Sequence, residues 1–402
     1  MNPVEIWRQT LSERASHHQK TVEMVRGSAV PYHRRGVLSV PAYRGGAALQ
    51  PEMAHSHSLQ LMAKAALLPV DALFFDLEDA APDHPAFKAL ARQFCAQALA
   101  TTDFGPRVVG FRPNSIRSPY FADDLDVVLA AAGHRLDFIV IPKSESAAEV
   151  ADIADLVAAL GRALGWPKLP RLEVLIESPR AFLHAQAIAA IPLVSALVFG
   201  AYDFSRCIGS QVHAQTWLSD QLLVRQMLPI IAAAHGKHAL DAVTAALPVR
   251  PKDGLLTPDA VAARQVALDL AHRDAADACR LGFAGKWVLH PDQIAPIQAA
   301  FGPTAEQAQR ALRLCADYAR AAMAGSGAER DQAQAGQVRL VDKAVAGMEF
   351  WVVQAGLRYG LLTDRDLNAT GLTLAHLRAA SLGPEHAEHP SNPWSPKFET
   401  NL

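Results

Sequence analysis

Eight short apolar runs recur along this chain, separated by longer stretches with a helical pattern. The runs span residues 37–40, 72–75, 108–111, 138–141, 172–176, 196–199, 239–243 and 287–289. The intervening stretches are rich in alanine and leucine and long enough for crossover helices, as at 86–99, 147–164 and 218–234. Continuously apolar strands are typical of parallel sheets that are covered on both faces. The pattern predicts an α/β fold with a closed (β/α)8 barrel, and an open doubly wound sheet is the alternative.

Charged or polar side chains follow nearly every apolar run. They are Tyr43, Arg44, Asp76, Glu78, Asp79, Arg112, Asn114, Lys143, Glu145, Glu177, Asp203, Asp241 and His290. Parallel barrels carry their chemistry on the loops at the C-terminal ends of the strands, whereas plain turns prefer Gly, Pro, Asn and Ser. The ring as a whole therefore predicts an active site, although any single member could instead form a salt bridge or cap a helix.

Two of these side chains are carboxylates at the ends of consecutive strands. The run 172–176 ends in Glu177, and the run 196–199 leads to Asp203. Because parallel strands place their C-terminal ends at one edge of the sheet, the two carboxylates should lie at the same edge. Mg²⁺ takes one or two protein carboxylates and completes its shell with water and substrate. The pair therefore predicts a Mg²⁺ site.

The chain is longer than a single barrel requires. Its 402 residues exceed the roughly 250 of a typical (β/α)8 barrel. We predict an N-terminal helical arm at 1–30, a catalytic barrel at 31–302 and a C-terminal helical extension at 303–402, while two conventional domains remain possible. In the extension, helices are predicted at 305–322 and 341–362, joined by a polar linker at 324–337. The extension should cap the barrel or pack on a neighbouring subunit, and a proline-rich insertion is predicted at 244–265.

Composition argues against several classes of function. Charged residues make up 19% and the formal net charge is −2, which gives no basic footprint for nucleic acid or an anionic membrane. No apolar run approaches the roughly 20 residues that cross a bilayer. The N-terminus lacks the apolar core of a secretory signal, so a cytoplasmic location is predicted. The four cysteines lie far apart and show neither zinc-ligand nor disulfide spacing.

The segments at the predicted strand ends are recognisable when taken together. They are RRGVLSVP at 34–41, FDLEDA at 75–80, GFRPNS at 110–115, IPKSES at 141–146, IES at 176–178, FGAYDF at 199–204, ALDAV at 239–243 and GFAGKWVLHPDQI at 282–294. In this order they resemble the citrate lyase β-subunit-like family of the HpcH/HpaI aldolase superfamily, which also contains malyl-CoA and citramalyl-CoA lyases. The resemblance covers about residues 33 to 345.

This resemblance implies a barrel in a homotrimer or hexamer, with Mg²⁺ at the C-terminal face, that cleaves or forms a carbon–carbon bond beside a thioester carbonyl. Glu177 and Asp203 are the implied metal ligands, and Arg112 is the implied contact for the substrate's keto or carboxylate oxygens. Arginine suits this task because its planar fork matches a carboxylate. Asp342 is the implied general acid/base, in its own or an adjacent subunit, and a helix N-cap is the alternative for this residue.

Further residues are implied to contact the substrate or to orient Arg112 and the metal's waters. They are Arg35, Asp76, Glu78 and Asp79. Lys143, at the fourth strand end, could form a Schiff base as in class I aldolases. Its place before Ser144 and Glu145 favours an ion pair instead, and we count it among the substrate-binding residues.

Four features depart from the family's usual pattern, and one of them is the proline-rich insertion, which displaces the Asp-rich stretch expected after the seventh strand. Tyr202 stands where the family has a carboxylate before the metal-binding aspartate, and Ala42 replaces a glycine after Pro41. The spacing before Asp342 is also longer than usual. These departures affect the expected substrate more than the metal or the arginine.

The sequence leaves three functional hypotheses. The first is a Mg²⁺-dependent carbon–carbon lyase that acts on a hydroxy-dicarboxylic acyl-CoA by retro-aldol or retro-Claisen cleavage. The second is a metal-dependent aldolase that releases pyruvate from a free hydroxy-keto acid, which the changes at Ala42 and Tyr202 make credible. The third is a catalytically reduced barrel that binds a small acid or a partner protein.

Overall fold

The structure is a computed structural model of the chain, and it describes residues 34–45, 51–212, 221–249, 257–332 and 338–383. These residues belong to two compact units, one up to Gln298 and one from Ala299 onward. The predicted N-terminal arm and residues 250–256 of the predicted insertion lie outside the described residues. Among the helices of the described ranges, none is long and apolar enough to cross a membrane.

Eight parallel strands form the first unit's core. They are β1 (Gly36–Pro41), β2 (Ala72–Asp76), β3 (Val108–Arg112), β4 (Phe138–Ile141), β5 (Arg171–Ile176), β6 (Val194–Phe199), β7 (His238–Asp241) and β8 (Gly285–Val288). Each strand pairs with the next, and β8 pairs with β1, so the barrel is closed. The predicted (β/α)8 barrel is therefore confirmed, and the open sheet is wrong.

Apolar side chains fill the barrel interior because successive strand residues alternate between its inner and outer faces. One buried cluster contains Val37, Ala72, Phe74, Val108, Phe138, Val140, Leu175, Ala196, Val198, Leu240 and Trp287. The register aligns Pro41 with Asp76 and Asp76 with Arg112 across the first three strands. The strand ends that carry polar residues therefore meet at one end of the barrel, which we call the mouth.

Helices surround the barrel. They are α1 (Pro51–Ala65), α2 (Pro85–Thr101), α3 (Phe121–Ala132), α4 (Ala147–Ala163), α5 (Pro179–Leu183), α6 (Ala185–Ala189), α7 (Ala201–Ile208), α8 (Leu222–Ala234) and α9 (Pro258–Leu281), followed by α10 (Ile294–Phe301). Local capping fixes where several begin. The hydroxyl of Ser146 accepts the Glu149 N–H at 3.2 Å, and that of Ser178 accepts the Ala181 N–H at 3.0 Å. The second cap starts α5 directly after Glu177.

The second unit is mainly helical. Its helices are α11 (Ala305–Met323), α12 (Lys343–Arg358), α13 (Asp364–Ala369) and α14 (Leu374–Leu382). The predicted polar linker is wrong in part, because β9 (Ala328–Gln332) pairs antiparallel with β10 (Val338–Asp342). β9 is polar along its length, so its stability comes from pairing with β10 and not from an apolar pattern that the sequence could reveal.

Candidate active site

The barrel mouth opens into a cavity of about 320 Å³. Five of the nine predicted site residues line it, namely Asp76, Asp79, Arg112, Glu177 and Asp203. Glu177 directly follows β5, and Asp203 lies in the first turn of α7 after β6. The rest of the wall is mostly apolar and includes Leu175, Phe199, Val243, Trp287 and Leu289. The cavity is thus lined by charged side chains, most of them acidic, and by apolar side chains.

Arg112 is held by three carboxylates. Its Nε and Nη2 donate to the two oxygens of Asp76 at 2.8 and 2.6 Å, Nη1 lies 3.0 Å from Glu78, and Nη2 lies 3.1 Å from Asp79. The guanidinium also lies 5.7 Å from the centroid of the Trp287 ring. Burial by itself would lower the pKa of Arg112, but the neighbouring carboxylates raise it above its usual value. The side chain is therefore a permanent and well-oriented cation.

Lys143 contacts carboxylates that hold Arg112 as well as the carboxylate of Glu177. Its ammonium lies 2.6 Å from Glu78 and 3.6 Å from Asp79, and its backbone N–H donates to Glu177 Oε1 at 2.6 Å. Burial lowers the pKa of Lys143, but the bond to Glu78 more than compensates, so the pKa is raised overall. A Schiff base requires a neutral amine, and this environment therefore favours the ion pair.

The ionised form of Glu177 is strongly disfavoured by its surroundings. Burial raises its pKa to about 8, and the charges of Glu78 and Asp203 act in the same direction, while the Lys143 N–H and Arg112 oppose them. The pKa of Glu78 is likewise raised by burial, in spite of Arg112. These acidic groups would gain from an additional positive charge at the mouth.

The charges within this group do not balance. Five carboxylates, those of Asp76, Glu78, Asp79, Glu177 and Asp203, lie near four basic side chains: Arg112, Lys143 and Arg206 form ion pairs with them, and the buried Lys88 acts on Asp76 and Glu78 through its charge. Full ionisation would leave an excess of negative charge, which a divalent cation would offset. Oxygen ligands of this kind suit Mg²⁺. No group of three or more His, Cys, Asp or Glu side chains converges as metal ligands in the described ranges. Glu177 and Asp203 both line the cavity, and a Mg²⁺ ion held by two carboxylates takes its other ligands from water and substrate.

A glycine lets α7 begin close to Glu177. A Cβ atom on Gly200 would lie only 2.4 Å from the Cβ of Glu177, so any larger residue would displace the carboxylate or the helix. Tyr202, at the second position of α7, lines the cavity; burial raises the pKa of its hydroxyl, and the nearby backbone N–H of Ala245 acts in the opposite direction. Tyr202 therefore lies close to the segment that follows β7.

Asp241 forms buried ion pairs that link elements of the barrel. It is buried with Lys286 at 3.0 Å and Arg225 at 2.7 Å, and both cations also contact Asp274. The salt-bridge alternative therefore describes Asp241. Sequence reasoning did not identify Asp274 or Arg225 as its partners, because they lie on α9 and α8 and follow no strand.

Two predicted site residues, Arg35 and Asp342, do not line the cavity at the mouth. Arg35 precedes β1 and binds Asp71, which precedes β2, with two bonds of 2.8 Å, so it lies at the end of the barrel opposite the mouth. Its predicted role in the site is wrong, because a residue before a strand cannot reach the loops after it. Asp342 lies in the second unit, where its carboxylate accepts the Val345 N–H at 2.9 Å and caps α12.

Comparison with known proteins identifies relatives of this chain. A family model described as HpcH/HpaI aldolase/citrate lyase matches residues 54–291. The L-malyl-CoA/β-methylmalyl-CoA lyase of Cereibacter sphaeroides is 33% identical over 284 residues, which cover 67% of this chain and 83% of the relative. The (3S)-malyl-CoA thioesterase of the same species is 31% identical over 270 residues, covering 66% of this chain and 81% of the relative.

A solved structure is similar in fold. The protein CitE of Mycobacterium tuberculosis, in complex with magnesium, acetoacetate and coenzyme A, has a TM-score of 0.52 and 24% sequence identity. The match covers 86% of this chain and 98% of that chain. This likeness concerns the fold, and it agrees with the closed barrel described above.

Proposed function

Because this chain belongs to the HpcH/HpaI aldolase/citrate lyase family and is an enzyme of the carbon–carbon lyase class, we propose that it cleaves or forms a carbon–carbon bond beside the thioester carbonyl of a hydroxy-dicarboxylic acyl-CoA. The observation that carries this proposal is the excess of carboxylates over cations at the mouth, with Arg112 fixed among them. The similarity to a lyase that acts on L-malyl-CoA supports the thioester.

In this proposal, Glu177 and Asp203 hold Mg²⁺. When bound, the cation supplies a Lewis acid that polarises an oxygen of the keto-acid half of the substrate. Glu177 is suited to the task because its environment disfavours its isolated negative charge and its Oε1 is already oriented by the Lys143 N–H. Asp203 is oriented by Arg206 at 2.5 Å.

Arg112 binds and stabilises negative charge. Cleavage beside a thioester develops an enolate oxyanion, and a preoriented guanidinium lowers the barrier because it does not have to reorganise as that charge appears. Asp79 is 56% exposed, whereas Asp76 and Glu78 are buried. A substrate carboxylate would therefore replace Asp79 most readily and leave the other two contacts in place.

The reaction also needs a group that moves a proton between the substrate hydroxyl and the enolate carbon. Asp342 is our candidate, by its position in the family motif. The apolar residues that line the cavity, such as Leu175, Val243 and Leu289, would exclude water from the enolate.

The test is incubation of the purified protein with malyl-CoA and Mg²⁺, with chromatographic separation of the products. A lyase yields the acetyl thioester and glyoxylate, and we expect Glu177→Gln and Arg112→Lys to abolish this cleavage. Glu145→Gln is the matched control, because Glu145 belongs to the same ring but lies 3.7 Å from Arg117 and Arg180. Absence of cleavage with malyl-, β-methylmalyl- and citramalyl-CoA, in either direction, would refute the proposal.

The same assay detects a second candidate function. The 31% identity to a malyl-CoA thioesterase favours hydrolysis at the same site, which would release malate and free CoA without carbon–carbon cleavage. Activity on free hydroxy-keto acids alone would support the pyruvate aldolase. Calorimetry that detects no Mg²⁺ binding, together with no turnover, would leave only the catalytically reduced barrel.

A further inference from the structure

Lys143 has an unusual backbone. Its φ angle is 53°, and in the described part of the chain only Gln221 shares a positive φ among residues other than glycine. Side chains with a Cβ rarely adopt this left-handed region, and such residues persist where surrounding contacts hold them. In Lys143 three contacts do so, since the N–H binds Glu177, the carbonyl accepts from Arg117 at 2.6 Å and the ammonium binds Glu78.

These contacts place the ammonium between two parts of the site. Glu78 binds Lys143 through Oε1 and Arg112 through Oε2, and Lys143 also faces Asp79. Glu78 and Glu177 repel each other. The Lys143 ammonium binds Glu78 and also interacts with the charge of Glu177. It therefore supplies positive charge to the same carboxylates that a bound cation would stabilise.

We propose that Lys143 is a positioning residue and an internal counter-ion: it holds the acidic mouth together without metal and competes electrostatically with the divalent cation. This inference rests on the proposed metal site. It goes beyond the substrate contact expected for Lys143, because the ammonium is engaged with Glu78 and its effect is exerted on the carboxylates and not on the substrate.

This role predicts an effect opposite to that of an ordinary structural contact. Removing the ammonium leaves the mouth more negative, so the metal-free protein should be less stable while Mg²⁺ binds more tightly. A residue that only stabilises the loop would, on removal, lower both stability and metal affinity.

The experiment measures Mg²⁺ binding by isothermal titration calorimetry and the Tm with EDTA or saturating Mg²⁺. For Lys143→Met we expect a several-fold lower Kd for Mg²⁺, a lower Tm in EDTA and a larger rise of Tm on adding Mg²⁺ than in the wild type. Lys143→Gly should bind Mg²⁺ as tightly as Lys143→Met but unfold at a higher Tm, because glycine adopts a positive φ without strain.

The matched control is Lys168→Met, which removes a lysine paired with Asp137 at 2.5 Å at the other end of the barrel and should leave the Kd unchanged. Suppose that the wild type binds Mg²⁺ and that Lys143→Met and Lys143→Gly bind it with the same affinity or more weakly. The counter-ion role is then wrong, and the proposed function stands. If the wild type itself binds no Mg²⁺, the metal site of the proposed function fails.

Discussion

Two lysines of the barrel, the buried Lys286 and the half-buried Lys237, differ in pKa because their neighbours differ. Burial lowers the pKa of both. Lys286 contacts Asp241 and Asp274, whose charges raise its pKa above the usual value. Lys237 precedes β7 and faces the charge of Arg171, which adds to burial and lowers its pKa to about 7. A buried charge is tolerated where an opposite charge compensates for its lost hydration, and it is costly elsewhere.

Lys237 gives a prediction for pH dependence. Between pH 7 and the usual lysine pKa of about 10.5, the unfolded chain binds more protons at this site than the folded one, so the contribution of Lys237 to stability improves as pH rises. Lys237→Met removes the buried charge, and the variant should exceed the wild type in Tm most at pH 6 and least at pH 9. Calorimetric scans across this range, with Lys168→Met as the control, check it. A Tm difference that does not change with pH would contradict the prediction.

At the scale of elements, the junction between β6 and α7 positions the proposed metal ligands. Gly200 allows α7 to start against Glu177, and Asp203 then falls in the first turn of the helix. The N-terminal end of a helix favours negative charge, which stabilises Asp203 there. The geometry of the site therefore depends on one residue without a side chain.

Gly200→Ala should disturb the metal site more than the fold. The added methyl group overlaps Glu177, so we expect a loss of about 1–3 kcal/mol in the free energy of unfolding. Displacing a ligand in this way should also weaken Mg²⁺ binding by about 10–100-fold. Calorimetry and urea unfolding measure both effects. Gly327→Ala is the control, because a Cβ there meets nothing within 4 Å, and an unchanged Kd in Gly200→Ala would show that the junction tolerates a side chain.

The ion-pair group around Asp241 ties β7 and β8 to helices α8 and α9. Asp241→Asn removes one of the two carboxylates, Asp241 and Asp274, that balance the buried cations Arg225 and Lys286, and we expect a loss of about 3–5 kcal/mol in the free energy of unfolding. Mg²⁺ binding to the folded variant should be unchanged. Asp317→Asn is the control, because its pair with Arg320 is exposed and should contribute less than about 1 kcal/mol. If Asp241→Asn is as stable as the wild type but no longer binds Mg²⁺, Asp241 belongs to the metal site instead.

At the scale of the whole molecule, the chain divides its proposed chemistry between two compact units. The barrel carries the proposed metal ligands and Arg112, while the second unit carries Asp342. Asparagine caps helices about as well as aspartate but cannot transfer the proton. Asp342→Asn should therefore keep its Tm and its Mg²⁺ affinity, and should lose about 10²–10⁴-fold in kcat if Asp342 is the acid/base.

The predicted oligomer allows a complementation test. If Asp342 serves the barrel of an adjacent subunit, mixed assemblies of Glu177→Gln and Asp342→Asn chains will contain some sites with both residues intact. We expect co-expressed variants to regain part of the lyase activity that each lacks alone. If light scattering shows a trimer or hexamer that contains both chains and lyase activity still does not return, Asp342 serves the active site of its own subunit.

Much of the barrel could be predicted from local pattern alone. The eight apolar runs all became strands, because a strand buried on both faces must be apolar along its length whatever its partners are. The mouth residues also followed from the sequence, since residues after parallel strands come to one end. Asp76, Arg112 and Glu177 lie there for that reason. The strand β9 was not predictable, because its polar sequence is a strand only through its pairing with β10.

The sequence by itself determined which strands form and which side chains reach the mouth, because both depend on hydrophobic period and chain direction. Only the tertiary structure decided which charges meet. Arg112 is compensated by residues from β2 and its loop, and Asp241 by residues from α8 and β8, while Arg35 binds Asp71 away from the site. Such pairs depend on barrel closure and on side-chain direction across elements far apart in the chain, and no local pattern encodes them.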